Sequence, residues 1–252
     1  MTNLLVAIYK LFLLVGLPGT LGLAIIALTF LIRLILYPFT AAQIKSTQKM
    51  ASLKPHMDKI REKFKKDTMR QQQEMAKLYK EHGINPAAGC LPLLIQFPVF
   101  ISLYNVLLHV VSSSNIAQTT EEINKILYFP GFKIDKPWDP TFLGINLGSR
   151  PSDWQHVGIF LLAVPVITAA LQYFQTRMMT PQAQEKVVEK LAKEKQTDVN
   201  DFANIMQKQM LYIFPVMIGF ASYSFPIGLS LYWNTFSLFG IIQQYLVQRE
   251  KA

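Results

Sequence analysis

The chain has 252 residues and a single cysteine, Cys90, so neither an internal disulfide nor a cysteine-based metal site is available. Its long apolar runs contain no Asp or Glu. Proton-coupled transport calls for titratable groups in the membrane, and the nearest histidine, His109, stands at the outer end of one run. No Ser/His, paired-Asp or His-Glu-x-x-His pattern marks an intramembrane protease, and there is no Walker loop or dinucleotide fingerprint. Matched inverted repeats of the transporter kind are also missing. The basic residues are not interleaved with stacking aromatics, so no specific nucleic acid is indicated as a partner. The expectation is a non-enzyme without catalytic residues, metal or cofactor.

What the chain does have is apolar length. Hydrophobic residues make up 51% of it, and five runs read as membrane spans: Leu17–Tyr37, Ala88–Val111, His156–Thr176, Met210–Phe225 and Ile227–Val247. The fourth is short and holds Pro215, which packed neighbours tolerate. The expected fold is an all-α integral membrane protein. It is a five-transmembrane-helix bundle with a cytoplasmic helical hairpin and an N-terminal interfacial amphipathic helix. As one domain, 1–252 divides into an interfacial helix 4–17, spans 17–42, 88–111, 156–176, 210–225 and 227–247, a hairpin 43–83, an extracytoplasmic loop 112–154 and a cytoplasmic loop 177–208. The apolar stretch Leu4–Leu17 could also be a signal-peptide core, but no basic residue precedes it and no small-x-small cleavage site follows, which favours the interfacial helix.

Charge orients the chain. Residues 43–82 carry eleven Lys/Arg against five Asp/Glu, a net +6, while 112–154 carry four against five, a net −1. Residues 177–208 carry six against five. Positive-inside counting places 43–82, 177–208 and the C-terminus in the cytoplasm and the N-terminus outside. Within 43–82, Met50, Leu53, Met57, Ile60 and Phe64 recur at spacings of three and four, a helical seam that Pro55 interrupts. A second run, Met69, Met75, Leu78 and Tyr79, ends at the helix stop Gly83. Lys59, Arg61, Lys63, Lys65 and Lys66 make the outer face basic. That face is either a solvated surface drawn to anionic lipid or a landing site for a ribosome, a targeting factor or a client. Asn85-Pro86 suits a helix start for the second span.

Arg33 is the one charged residue in the five spans. Burying an arginine at mid-bilayer costs about 2.5 kcal/mol on insertion scales. It either snorkels toward the cytoplasmic headgroups or faces a wet cavity inside the bundle. Its company favours the cavity. Thr29 lies one turn earlier on the same face. Thr168, Gln172 and Gln175 share a face of the third span, and Ser230, Asn234 and Ser237 one of the fifth. Gln96, Ser102 and Asn105 dot the second. Singly these are interhelical hydrogen bonds; together they can line a groove.

These residues carry a resemblance. The blocks "TFLIRLILYPFTAAQ" (29–43), "LYKEHGINPAAGCLPLLIQFPVFISLYNVL" (78–107), "FPVMIGFASYSFPIGLSLYW" (214–233) and "IIQQ" (241–244) resemble the YidC/Oxa/Alb family of membrane protein insertases over nearly the whole chain. The resemblance implies five core helices around a hydrophilic groove that is open to cytoplasm and lipid and closed outside. It matches Arg33 to the family's groove arginine, Thr29 to its groove threonine and Trp233 to the aromatic of the last span. Spacing adds Gln172, Gln175 and Asn234 to that client-binding groove. The implied activity is insertion and chaperoning of new membrane proteins, without nucleotide use, the client helix leaving along the apolar faces of spans two and four. Nascent membrane proteins and the lipid bilayer are the implied partners, with a Sec-type translocon, the ribosome and signal-recognition targeting factors as further candidates. The implied location is the bacterial cytoplasmic (inner) membrane, ahead of a thylakoid-like one. Set against Gram-negative relatives, the expectation is a type without the large extracytoplasmic domain and lipoprotein cysteine, and set against mitochondrial relatives, one without a long basic tail. Two other classes stay open from the residues alone. One is a small-solute channel or carrier with Arg33 as an anion site; the other is a scaffold acting through its hairpin.

Overall fold

The computed structural model describes residues 1–65, 67–84, 91–111, 116–134, 138–179 and 209–249. The expected helix start at Asn85-Pro86, Cys90, Lys66 and all but the first residues of the loop 177–208 lie outside them, as does the side chain of Gln96.

α1 (Thr2–Val15) buries Leu5, Val6 and Tyr9 against Leu21, Ala24 and Ile25 of α2 (Thr20–Ser52). Lys10 fixes its far side, donating to the carbonyls of Gly131 (2.9 Å) and Lys133 (2.6 Å). Yet Leu11, Leu14 and Val15 are exposed, so α1 is apolar on most of its circumference.

α2 has 33 residues, about 50 Å of helix, well beyond the roughly 30 Å hydrocarbon thickness. It passes the expected boundary at 42/43 unbroken, with Pro38 inside it. A mid-helix proline leaves backbone groups unpaired. Here Thr40 donates to the carbonyls of Leu36 and Tyr37 (both 3.1 Å), and Gln243 donates to Tyr37 O (3.2 Å) and to the Thr40 hydroxyl. A side chain more than 200 residues away thus ties α10 to α2 beside Pro38.

The helical seam closes at the end of α2. Leu53 occupies a turn, and α3 (Lys54–Lys63) restarts with Pro55 in its first turn. α4 (Thr68–Glu81) begins on Asp67, whose carboxylate accepts from Arg70 N at 3.0 Å. Leu53, Leu78 and Ile84 form a small core with Met50, Met57, Ile60 and Tyr79 around it. Met69 is exposed and takes no part. Burial pushes the Tyr79 hydroxyl above its ordinary pKa, with nearby Arg61 opposing, and that hydroxyl lies 3.8 Å from Met57 Sδ.

α5 (Leu91–Val111) and α6 (Ile116–Lys125) lead to a small antiparallel hairpin, β1 (Thr141–Phe142) and β2 (Ile145–Asn146). The sequence predicts a loop there. Leu143 and Gly144 form its turn, both with positive φ (50° and 79°), the geometry that suits a two-residue hairpin. α7 (Trp154–Val157) and a 3-10 turn, Ile159–Leu162, precede α8 (Ala163–Met179). A π turn, Gln209–Ile213, opens into α9 (Phe214–Ser224), and α10 (Ile227–Arg249) ends the described chain.

α10 is the hub. It packs on α2 and α8, and α9 also packs on α8. Among the described residues two helical stretches are long and apolar enough to cross a membrane, Thr20–Met50 and Ile159–Met179; Phe97–Val106 and Leu211–Ser224 are shorter apolar helices.

Candidate functional site: a polar seam around Arg33

Beside its apolar core, the bundle departs from a water-soluble fold in two respects. Apolar side chains stand outside, among them Leu34 and Ile35 on α2, Val166 on α8, Val216 and Phe220 on α9 and Leu246 on α10. Buried between the helices are Thr29, Arg33, Thr168, Gln172, Ser230 and Ser237. Apolar-out with polar-in is the pattern of helices whose solvent is lipid.

Arg33 is only 8% exposed, so it does not snorkel. Its Nη2 donates to the carbonyl of Phe236 on α10 at 2.6 Å, and its guanidinium carbon lies 3.5 Å from the centre of the Phe236 ring. No carboxylate among the described residues pairs with it. A backbone dipole and a ring face therefore do the work of a counter-charge. Arg33 Nε is buried and has no protein partner.

One turn toward the other end, Trp233 Nε1 donates to Gln172 Oε1 at 3.0 Å. Gln172 Nε2 continues to the Thr176 hydroxyl at 3.2 Å, which donates to Gln172 O at 2.8 Å. The Phe100 ring of α5 meets Trp233 edge-on at 5.5 Å between ring centres, bringing a fourth helix to the seam. Gln175, the next α8 residue on this face, reaches Gly240 of α10 beside the Arg33 guanidinium. Further polar atoms on α10, Ser230 Oγ, Asn234 Oδ1 and Ser237 Oγ, are buried without a protein partner. Atoms of that kind are satisfied by water or a polar ligand.

Of the six residues expected in the groove, Arg33, Gln172, Gln175 and Trp233 thus meet in one seam between α2, α8 and α10. Asn234 flanks it on α10. Thr29 is 1% exposed and its hydroxyl donates to Ile25 O at 2.7 Å, so its proton is used inside its own helix. On the hairpin, Lys59, Lys63 and Lys65 are exposed, whereas Arg61 is half-buried and leans on Asp58 at 3.5 Å. Phe236, Gly240, Thr176 and Phe100 were not singled out from the sequence. Phe236 acts through its carbonyl and Gly240 through lacking a side chain; only their position on the polar stripe of the last span could have marked them.

The family model described as 60Kd inner membrane protein matches residues 13–252. The chain belongs to that family. Members similar to it are named membrane protein insertase YidC. The one from Granulibacter bethesdensis is 34% identical over 235 residues, covering 92% of this chain and 36% of the relative. The one from Streptomyces avermitilis is 34% identical and is covered to 51% of its length. The one from Fusobacterium nucleatum subsp. nucleatum is 32% identical over 234 residues, covering 93% of this chain and 89% of the relative. The chain therefore spans between about a third and half of the first two relatives. Among solved structures of the family, the active YidC insertase with its first transmembrane domain resolved superposes with a TM-score of 0.57 at 29% identity, over 95% of this chain and 44% of that one.

Proposed function

We propose that the chain is a membrane protein insertase and chaperone of the bacterial cytoplasmic membrane. The observation that carries this reading is a buried, acid-free arginine in a seam of partly unsatisfied polar atoms, enclosed by helices whose outer faces are apolar. Family membership supports it.

In this reading α2, α5, α8, α9 with its π turn, and α10 are the five spans. The N-terminus lies outside, the C-terminus and the α3–α4 hairpin in the cytoplasm. Moving a polar segment across roughly 30 Å of hydrocarbon is costly, since each unpaired backbone group costs several kcal/mol. A polar groove shortens the dry distance. Arg33 attracts polar and acidic client segments, and Gln172, Gln175, Trp233 and Asn234 offer them hydrogen bonds. Transfer of a client helix into lipid, at about 25 cal/mol per Å² of apolar surface, drives release. The client leaves past α5 and α9. The exposed lysines of the hairpin serve recruitment of the ribosome, targeting factors or a Sec-type translocon.

Site-specific photo-cross-linking tests the reading. A photoreactive residue at Trp233 or Gln175, both half-buried, should form adducts with a stalled single-span client that depend on chain length. The same probe at the exposed hairpin position Asp67 is the comparison. Adducts at Asp67 alone would mean that the bundle receives no client and would favour a scaffold or a solute carrier.

A further inference from the structure

Arg33 has to be kept in place in a bundle with no acid to hold it, and the structure shows what makes room for it. A Cβ at Gly240 would lie 2.7 Å from Arg33 Nη2 and 2.5 Å from Gln175 Nε2, both closer than carbon and nitrogen approach without bonding. Gly240 is the residue whose N–H follows Phe236 O by one helical turn, so a side chain there would stand beside the carbonyl that Arg33 uses. Three helices thus converge on one missing methyl. α2 supplies the guanidinium, α8 the amide, and α10 the carbonyl, the ring of Phe236 and the gap.

We propose that Gly240 is a positioning residue. It seats the Arg33 guanidinium against α10, and a side chain at 240 displaces that guanidinium from the Phe236 carbonyl and ring. A mid-helix glycine is a weak helix former, and alanine would be the better choice for the helix alone. The placement of glycine beside the one buried charge among the described residues gives it a local reason. The importance of the seat for client choice rests on the proposed function above; the seat itself does not.

The experiment reads the two separately. In the full chain reconstituted in nanodiscs, phenylglyoxal modification of Arg33 is followed by mass spectrometry in parent and Gly240→Ala protein. The guanidinium should react several-fold faster in the variant, because it has left its cover. Thermal unfolding supplies the second arm. Gly240→Ala should lower the melting temperature with Arg33 present, and should lower it less in an Arg33→Ala background, where only the Gln175 amide still crowds the site. Equal modification rates overturn the proposal. So does an equal melting shift in both backgrounds, which decides the matter even if the single variant folds poorly. A third arm compares insertion of a client with an acidic leading segment against the same client with its acids changed to amides. Gly240→Ala should lower the first by about tenfold, the scale of a lost hydrogen bond to a charged group, and spare the second. Exposed Arg33 without client discrimination would uphold the seat and remove Arg33 as the client's counter-charge.

Discussion

Trp233 combines two roles that substitutions can separate. Its ring packs edge-on against Phe100, and its N–H satisfies Gln172, which is 7% exposed. Trp233→Phe keeps most of the packing and leaves the Gln172 oxygen without a donor, at a cost of about 1–3 kcal/mol. Trp233→Ala adds a cavity, for a total of about 3–5 kcal/mol. Thermal unfolding in detergent should therefore rank parent above Phe above Ala. A Phe variant that melts with the parent would show that the Trp233–Gln172 bond contributes nothing. Several site residues were readable as a set because polar groups at helical spacing in an apolar run need a shared destination. Thr29 shows the limit of that logic: a hydroxyl in a helix can bond back to its own turn, and nothing in its position says so beforehand. Phe236 and Gly240 were beyond it, since one contributes a carbonyl and the other a gap.

At the scale of elements, the β1–β2 hairpin is a part of the fold that hydropathy could not reveal. Two residues per strand carry no readable alternation. Its purpose is visible in what it touches. The Phe142 ring enters a notch on the first turns of α2, where a Cβ at Gly19 would lie 2.8 Å from the ring and one at Gly22 would overlap it. From the same loop Leu147 O accepts from Gly228 N at 2.8 Å and Ser149 O from Ile227 N at 2.9 Å, so the loop satisfies the first N–H groups of α10. The hairpin thereby ties the start of α2 to the start of α10, the same two helices that Arg33 joins further along. Gly22→Val should expel Phe142 and destabilise the protein by about 1–3 kcal/mol through overpacking. Phe142→Ala combined with Gly22→Val should recover part of that loss, because the two side chains compete for one space. If the double variant melts at the sum of the two single losses, the notch is not a shared site.

Across the whole molecule the two ends of the bundle differ in kind. One end carries α1, α6 and the β-hairpin, a region with a net charge of −1 over 112–154; the other carries the α3–α4 hairpin within a segment of net +6. The helical architecture was legible because long apolar runs have few alternatives, and the charge asymmetry adds a direction. Less legible was the length of α2, which runs on through Pro38 and is held there by Gln243 from the far end of the chain. The ends also give the proposed topology a direct test. With Cys90→Ser as background, Asp67→Cys and Asn146→Cys place single thiols at exposed positions on the two ends. In intact cells a membrane-impermeant maleimide should label Asn146→Cys and spare Asp67→Cys; in inverted vesicles the preference should reverse. An odd number of spans separates the outer N-terminus from the inner C-terminus in the five-span arrangement, and α5 lies between the two labelled sites. Labelling of both thiols from one side would mean that α5 does not cross. The groove would then lack the wall that brings Phe100 to Trp233, and the insertase reading would lose one of the exits it needs for its client.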